Sequence, residues 1–504
     1  MQKKQTILVV ASLLVVVLSV TLAYFTAQII GEGKTVDVTS ANLQIIFTDT
    51  DGSISGTNIE PGWSTSKAFA IINKSNETYK YNIVIQDLVN TFVTNGYLQY
   101  KITSTNGGYS TDGYVDVPKS GVARDMVLVY NASIDVGVTQ TYTIEFIYKN
   151  DENVNQSVDM DKTLSGKLFI TEGTLPTLLS QILKDNPTRS TRSNNNNGVN
   201  DFATPLTATT TGTLFTSTES ITGITDTPKE VYYYAGNTTN NWVKFGGYYW
   251  RIIRSNHDDS IRLLYVGTSH DTTSGNIGTS KFNTSYNSPK YVGYKYGEDT
   301  SLDTIRNNTT DSTIKTYIDS WYQNNLTNYT KYLSTSAVYC NDRSEATEGS
   351  YSPTGEGFEF APYKRLYTDK TPTYNCSNIR DSFSVENTSA QLNYPIALMT
   401  ADEIVLAGGT PWYAEMSTPY AWFISNSAGT WVSSTWWSLS PDNWYNDYAG
   451  VWSWNSDNAN LSNFMVYNTI GVRPALSLKS CVKYASGDGT SSNPYTILET
   501  SSGC

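Results

Sequence analysis

The first third of the chain is built from short apolar runs broken by turn residues. Val36–Thr48, Ala68–Asn73, Tyr79–Leu88, Leu98–Thr103, Met126–Tyr130, Thr141–Tyr148 and Gly166–Thr171 alternate or run apolar, with Gly, Asn, Asp and Pro between them. In Thr141–Tyr148 the alternation sets Tyr142, Ile144, Phe146 and Tyr148 on one face. About seven strands of this kind predict a β-sandwich over residues 31–172. The period then changes. LPTLLSQIL (175–183) spaces its leucines at helical intervals and predicts a short helix. Residues 184–229, with RSTRSNNNNG, TATTTGT and STES, show almost no apolar period. They read as a flexible linker holding at most one short pairing strand, so that 173–229 joins two domains.

The second domain, 230–504, mixes both periods. Trp242–Phe245, a Gly246-Gly247 turn, Tyr248–Arg254, an Asn256–Asp259 turn and Ile261–Tyr265 read as β-hairpin structure. DSTIKTYIDSWYQNNL (311–326) places Ile314, Tyr317, Ile318 and Trp321 at helical spacing, with Asp311 or Ser312 as N-cap. TADEIVLAGG predicts a second helix at Thr400–Ala407, in which Thr400 and Glu403 form a capping box and Gly408 ends the run. Few helices and many short strands with long loops between them predict a mainly β, α+β architecture.

Between TWWSLSP and GVRPAL, residues 435–476, the pattern dissolves into Asn, Asp, Ser, Tyr and Trp. Unpartnered Asn and Asp cost about 1–3 kcal/mol each when desolvated, which argues against a core strand. Many aromatics argue against an ordinary loop. The mixture predicts a solvent-facing recognition surface, with rigid rings for contact area and short polar side chains for hydrogen bonds. The expected ligand-binding residues are Asn443, Trp444, Tyr445, Asn446, Asp447, Tyr448, Trp452, Trp454, Asn455 and Asn458, within a displayed segment 442–469. Trp436, Trp437 and Arg473 are expected to be its framework.

Composition narrows the compartment and the partners. The chain has 504 residues, only 16% of them charged, and a net charge of −12, with no clustered basic footprint for nucleic acid. Lys3 and Lys4 precede an apolar run, Ile7–Leu22, with small residues at Thr21 and Ala23. Residues 1–30 therefore read as an export signal or an uncleaved membrane anchor, and as the chain's one membrane contact. In an exported chain four cysteines read as disulfides, and proximity favours Cys340–Cys376 and Cys481–Cys504.

Candidate chemistry is sparse. G-x-S-x-G, G-x-x-x-x-G-K-[ST] and H-E-x-x-H are all absent, and the chain has two histidines, His257 in an expected hairpin turn and His270 in a polar loop, so histidine acid–base catalysis is poorly supplied. Asp49, Asp51, Ser53 and Glu60 match four positions of a calcium loop. Ile54 stands where the sharp turn needs Gly, so a polar hairpin turn is the better reading. Asp442 and Asp447 are the carboxylate pair a glycosidase would need, but surface Asp residues are common. No enzyme, cofactor or metal is expected.

Two resemblances add to this. AYFTA (23–27), IEPGWSTSKAFAIINKS (59–75), YTIEFIYKN (142–150) and Asn155-Gln156 resemble the camelysin/TasA-type surface and matrix proteins of Gram-positive bacteria. That resemblance implies extracellular assembly or scaffolding through the first domain, and it brings no catalytic residues. Phe245–Ile252, Asp319–Leu326, Ala337–Ser344, Trp436–Pro441 and Gly471–Leu476 are similar to a family of bacterial surface domains. GVRPAL resembles the terminal core strand of the C-type lectin-like fold shared with formylglycine-generating enzymes and with retroelement-diversified variable proteins. The cysteines those enzymes need are not found between Trp436 and Leu476. Trp444-Tyr445-Asn446-Asp447 is similar to the W-N-D element of calcium-dependent lectins, with a Tyr interrupting it and no E-P-N companion. The expectation is an exported adhesion protein, a β-sandwich followed by a C-type lectin-like α+β head that binds a glycan or protein on another cell or host surface. The alternative is a fibre or matrix subunit that self-assembles through the sandwich, and a third reading is an extracellular hydrolase.

Overall fold

The computed structural model describes residues 35–38, 43–47, 53–56, 59–94, 96–171, 175–192, 202, 213–354, 357–411, 422–424, 435–500 and 503–504. Residues 1–30, Asp49, Asp51 and the NNNN run lie outside them. Strands hold 42% of the residues and helices 15%, so the architecture is mainly β with long loops. The chain divides into two compact units, 1–175 with 485–488, and 176–484 with 489–504.

In the first unit two sheets enclose one core. The first sheet runs in the order β1 (Thr35–Val38), β2 (Leu43–Phe47), β4 (Ser64–Asn73), β9 (Thr139–Tyr148), β6 (Leu98–Ser104) and β7 (Val115–Asp116). The second runs β3 (Ser53–Gly56), β10 (Leu164–Thr171), β5 (Tyr79–Asn90), β8 (Ser120–Ile134). Tyr142, Ile144, Phe146 and Tyr148 are all buried, as the alternation requires, and pack with Ile83, Ile85, Leu168 and Ile170 of the facing sheet. One buried carboxylate in this core is well matched. Asp159 accepts from the Tyr148 hydroxyl at 2.8 Å and from the Thr94 backbone, and these hydrogen bonds hold its carboxyl below the usual range although burial pushes the other way. Ser53 belongs to β3 and Glu60 is exposed, but β2 and β3 lie in different sheets, so the expected hairpin is corrected to a crossover between the two sheets.

The second unit takes in most of what composition marks as linker. Helix α1 (Leu178–Asp185), β12 (Thr213–Ile221) and β13 (Thr225–Ala235) are packed elements, and Leu178, Ile182, Leu214, Phe215 and Val231 belong to the core. The short helix expected at 175–183 is present as α1, and the flexible-linker reading of 184–229 is corrected for β12 and the start of β13. The Ser/Thr-rich strand β12 buries Leu214 and Phe215 and pairs along β13, which backbone hydrogen bonding allows whatever the side chains are. Ahead of it β11 (Arg189–Thr191) pairs in parallel with β12.

The hairpin of β14 (Trp242–Phe245) and β15 (Tyr248–Ser255) turns at Gly246 and Gly247, both at positive φ, and β16 (Ile261–Gly267) pairs alongside β15. Helix α2 (Leu302–Ile305) is a single turn. Helix α3 (Thr313–Asn325) is capped by the Ser312 side chain and buries Ile314, Ile318 and Tyr322. Helix α4 (Ala361–Tyr363) is shorter still. Helix α5 (Ala401–Leu406) opens with the capping box of Thr400 and Glu403. Both expected disulfides are formed, Cys340–Cys376 and Cys481–Cys504. Among the described residues no helix is long and apolar enough to cross a membrane.

Candidate functional site

Residues 436–465 form a three-stranded meander rather than an irregular displayed loop. β19 (Trp436–Tyr445), β20 (Tyr448–Asn455) and β21 (Asn460–Met465) pair antiparallel, and on the other side of β19 lies β17 (Phe358–Glu359). β18 (Ile396–Leu398) and β22 (Pro474–Leu478) belong to the larger sheet, where β22 pairs with both β16 and β18.

This corrects the recognition-surface reading at its aromatic centre. Trp452 and Trp454 are 0% exposed and Trp444 is 2% exposed, so none of the three offers a ring to solvent. Trp454 pairs across the strands with Trp436 and packs on Phe423, with ring centroids 5.1 Å apart. Trp452 lies against Tyr363 at 6.4 Å. Burial of three indoles outweighs the polar residues between them because backbone pairing and turns satisfy those. The Asn455 side chain accepts from the Asp457 backbone, and Ser438 donates to the Trp452 carbonyl at 2.7 Å. Asn455 and Asn458 belong to the turn joining β20 to β21, at the far end of the strands from the β19–β20 turn.

The framework residues are deep. Trp436 and Trp437 are buried, and the Trp437 indole donates to the Ser280 carbonyl at 2.9 Å. The Arg473 guanidinium donates to the Tyr265 and Phe423 carbonyls and sits 5.2 Å from the Trp436 ring centroid, and burial lowers its pKa to about 9.

Both turns of the meander are exposed, Asp457 and Asn458 at one and Tyr445, Asn446 and Asp447 at the other, and the exposed aromatic is at the β19–β20 turn. Asn446 and Asp447 both have positive φ, the two-residue turn whose twist suits a hairpin. Beside them Tyr445 is 60% exposed and pairs across the strands with Tyr448. Tyr448 stacks on Tyr286 at 5.4 Å, and Tyr467 contacts both, at 4.9 Å from Tyr286 and 5.8 Å from Tyr448. The Ala449 amide donates to the Tyr286 carbonyl at 3.0 Å and ties the 280s loop to the hairpin. Tyr286 and Met465 are each 40% exposed. Of the expected residues, the fold brings together Asn443, Tyr445, Asn446, Asp447 and Tyr448 at one end. Tyr286, Tyr467 and Met465 were missed. Tyr467 and Met465 lay inside the expected segment with nothing to separate them from core aromatics, and Tyr286 comes from a distant loop with no periodic signal.

Charge inside the second unit is organised as buried pairs. Glu403 accepts from Arg262 at 2.6 Å and from Arg254 at 2.8 Å, and Arg254 also binds Glu219 at 2.8 Å. Burial works against the Glu219 charge, yet Arg254 and His257 hold its carboxyl at about 2. Arg365 bridges Asp402 and Asp342, and Asp381 bridges Arg343 and Arg306. The Glu219–Arg254–Glu403–Arg262 and Asp342–Arg365–Asp402 groups together line one small cavity with Thr373, Tyr374, Asn375 and Ser440. Its carboxylates and guanidiniums answer one another, which suits a structural network holding water. His257 contacts Glu219 and His270 packs against Trp242 and Tyr249, so each has a local structural setting. Among the described residues no cluster of His, Cys, Asp or Glu is placed to hold a metal.

Asp442 is the exception to this pairing. It is fully buried, and neither carboxyl oxygen has a hydrogen-bond partner within normal geometry among the described residues. Burial, helped by the charge of Glu359 and opposed by the nearby Asn463 side chain, pushes its pKa up to about 8. Asp447 is exposed in the turn, so the two do not form a carboxylate pair in one cleft.

No family model matches the chain, and no curated protein does. Among solved structures with slight likeness are two enzymes. A ruminal GH26 endo-beta-1,4-mannanase is 13% identical over 24% of this chain and 20% of its own, with a TM-score of 0.15. AvmM, described as catalysing macrocyclization in Alchivemycin A biosynthesis, is 9% identical over 25% of this chain and 92% of its own, with a TM-score of 0.14. The chain spans about a fifth of the mannanase's length, and scores this low carry no argument about fold or activity.

Proposed function

We propose that this protein is an exported cell-surface binding or adhesion protein. The first unit acts as a TasA-like β-sandwich support, and the second as a C-type lectin-like head that meets the ligand at the β19–β20 turn. The observation that carries this reading is the contrast within one small sheet. The tryptophans are sealed inside while Tyr286, Tyr445, Tyr448, Tyr467 and Met465 gather at its solvent end. Exposed Tyr286 and Tyr445 beside half-buried Tyr448 and Tyr467 supply the rigid aromatic contact area that a binding surface uses. Two disulfides fit an oxidising, extracellular setting. The alternative, a self-assembling matrix subunit, has less support from the sheet edges. The edge strand β8 is broken by register shifts and carries Arg124 and Asp125, devices that discourage edge-to-edge pairing.

The test is display. In intact cells making the full chain, added proteinase should remove epitopes of both units without lysis. An epitope that stays protected until the cells are broken would refute surface exposure.

A further inference from the structure

Strand register extends the tyrosine cluster into a site. On the paired strands β17, β19, β20 and β21, Glu359 stands opposite Asn443, Asn443 opposite Gly450, and Gly450 opposite Met465. Directly paired residues share a face, so these four make one row across the sheet. The next row on the same face, two residues along, is Tyr445 with Tyr448. Gly450 supplies no side chain, and the Asn443 amide fills its place. A Cβ on Gly450 would lie 2.5 Å from Asn443 Oδ1. The result is an amide at the centre, an exposed carboxylate at one side, a half-exposed thioether at the other, and tyrosine rings beyond.

Resting on the proposed binding role of this end of the head, we infer that the Glu359–Asn443 row and the tyrosines Tyr286, Tyr445 and Tyr448 bind an uncharged polysaccharide. Each part matches that chemistry. Tyrosine rings offer apolar faces for the C–H faces of a sugar ring and a hydroxyl at the rim. The Asn443 amide donates and accepts, and the Glu359 carboxylate accepts from sugar hydroxyls. The named groups include no cation, whereas Glu359 and Asp447 are both acidic and exposed. A phosphate- or sulfate-bearing ligand would meet like charge here, and a neutral one would not. The rings are also held before a ligand arrives, through the Tyr286–Tyr448 stack and the Ala449 to Tyr286 backbone bond, which lowers the ordering cost of binding. Asp442 lies behind this face and is fully buried, so it makes no contact with such a ligand.

The test is affinity electrophoresis of the full chain in gels containing mannan, soluble starch, hydroxyethyl cellulose or glycol chitin, with heparin and polygalacturonate as polyanions. At least one neutral polymer should retard the protein. Tyr286→Ala and Tyr448→Ala should weaken that retardation by about tenfold or more, the scale of losing one stacked ring. Glu359→Gln, an exposed change that leaves the fold alone, should weaken it several-fold. The idea is overturned if none of the neutral polymers retards the chain. It is also overturned if retardation survives all three substitutions, or if only the polyanions bind and Glu359→Gln strengthens them. Display on intact cells is scored separately, so a displayed chain that ignores neutral glycans refutes the ligand class and leaves the surface role standing.

Discussion

Asp442→Asn is the substitution that most directly probes the buried meander. An acid whose folded value is raised keeps its proton longer in the folded state than in the unfolded one. Below about pH 4 both states of Asp442 are protonated and the residue is neutral in effect. Between its ordinary value of 3.8 and about 8 only the folded state holds the proton, so stability falls as pH rises. Above about 8 both states are ionised and the deficit stays constant. A shift of about 4 units at 1.36 kcal/mol per unit makes the full deficit about 6 kcal/mol, and the part accrued between pH 5 and pH 8 about 4 kcal/mol. Asn has nearly the same shape and no charge to bury. Urea unfolding of the full chain at pH 5 and pH 8, followed by tryptophan fluorescence of the second unit, should find the variant gaining about 4 kcal/mol on the native protein between the two conditions. Other titrating groups are common to both proteins and cancel in that difference. A stability difference that stays the same across this window would refute the neutral, unpartnered state of Asp442.

Four further outcomes follow from the same geometry. Trp454→Ala should lower the stability of the second unit by about 3–5 kcal/mol, read as a shift in urea midpoint, whereas Tyr445→Ala at the exposed turn should stay within about 0.5 kcal/mol. Glu403→Gln leaves Arg254 and Arg262 without their shared carboxylate and should cost about 3–5 kcal/mol. Glu219, held at about 2 against an ordinary 4.5, contributes stability that is present above pH 4.5 and lost as pH falls toward 2. Native protein and Glu219→Gln should therefore converge in melting temperature on acidification through that window. Replacing Cys340 and Cys376 together by Ser opens a loop with a sequence separation of 36 and should cost about 4 kcal/mol in equilibrium unfolding.

Much of the local structure is legible along the chain, because it depends on near neighbours. The alternation in Thr141–Tyr148, the Ser312 cap on α3, the Thr400–Glu403 box on α5 and the Gly246-Gly247 turn each rest on contacts within a few residues, and each is found where the pattern places it. The cysteines are 36 and 23 residues apart in their pairs, so that pairing rests on proximity along the chain and not on contacts within a few residues. Composition misleads at two places. The Ser/Thr-rich β12 reads as linker because backbone pairing with β13 leaves no trace in side-chain polarity. The meander reads as displayed surface because Asn and Asp satisfied by local turns look the same in sequence as Asn and Asp facing water.

The stretch 435–476 shows where the division falls. Its aromatic content and its framing ends at TWWSLSP and GVRPAL are properties of the chain itself, since ring size and backbone preference travel with the residue. Which rings are buried is not. Trp444, Trp452 and Trp454 are covered by residues as distant as Phe358, Tyr363 and Phe423, while Tyr445 and Tyr448 lie at the solvent end of the same strands. The hydrophobic effect acts on area removed from water, and that area is set by which elements meet across the fold.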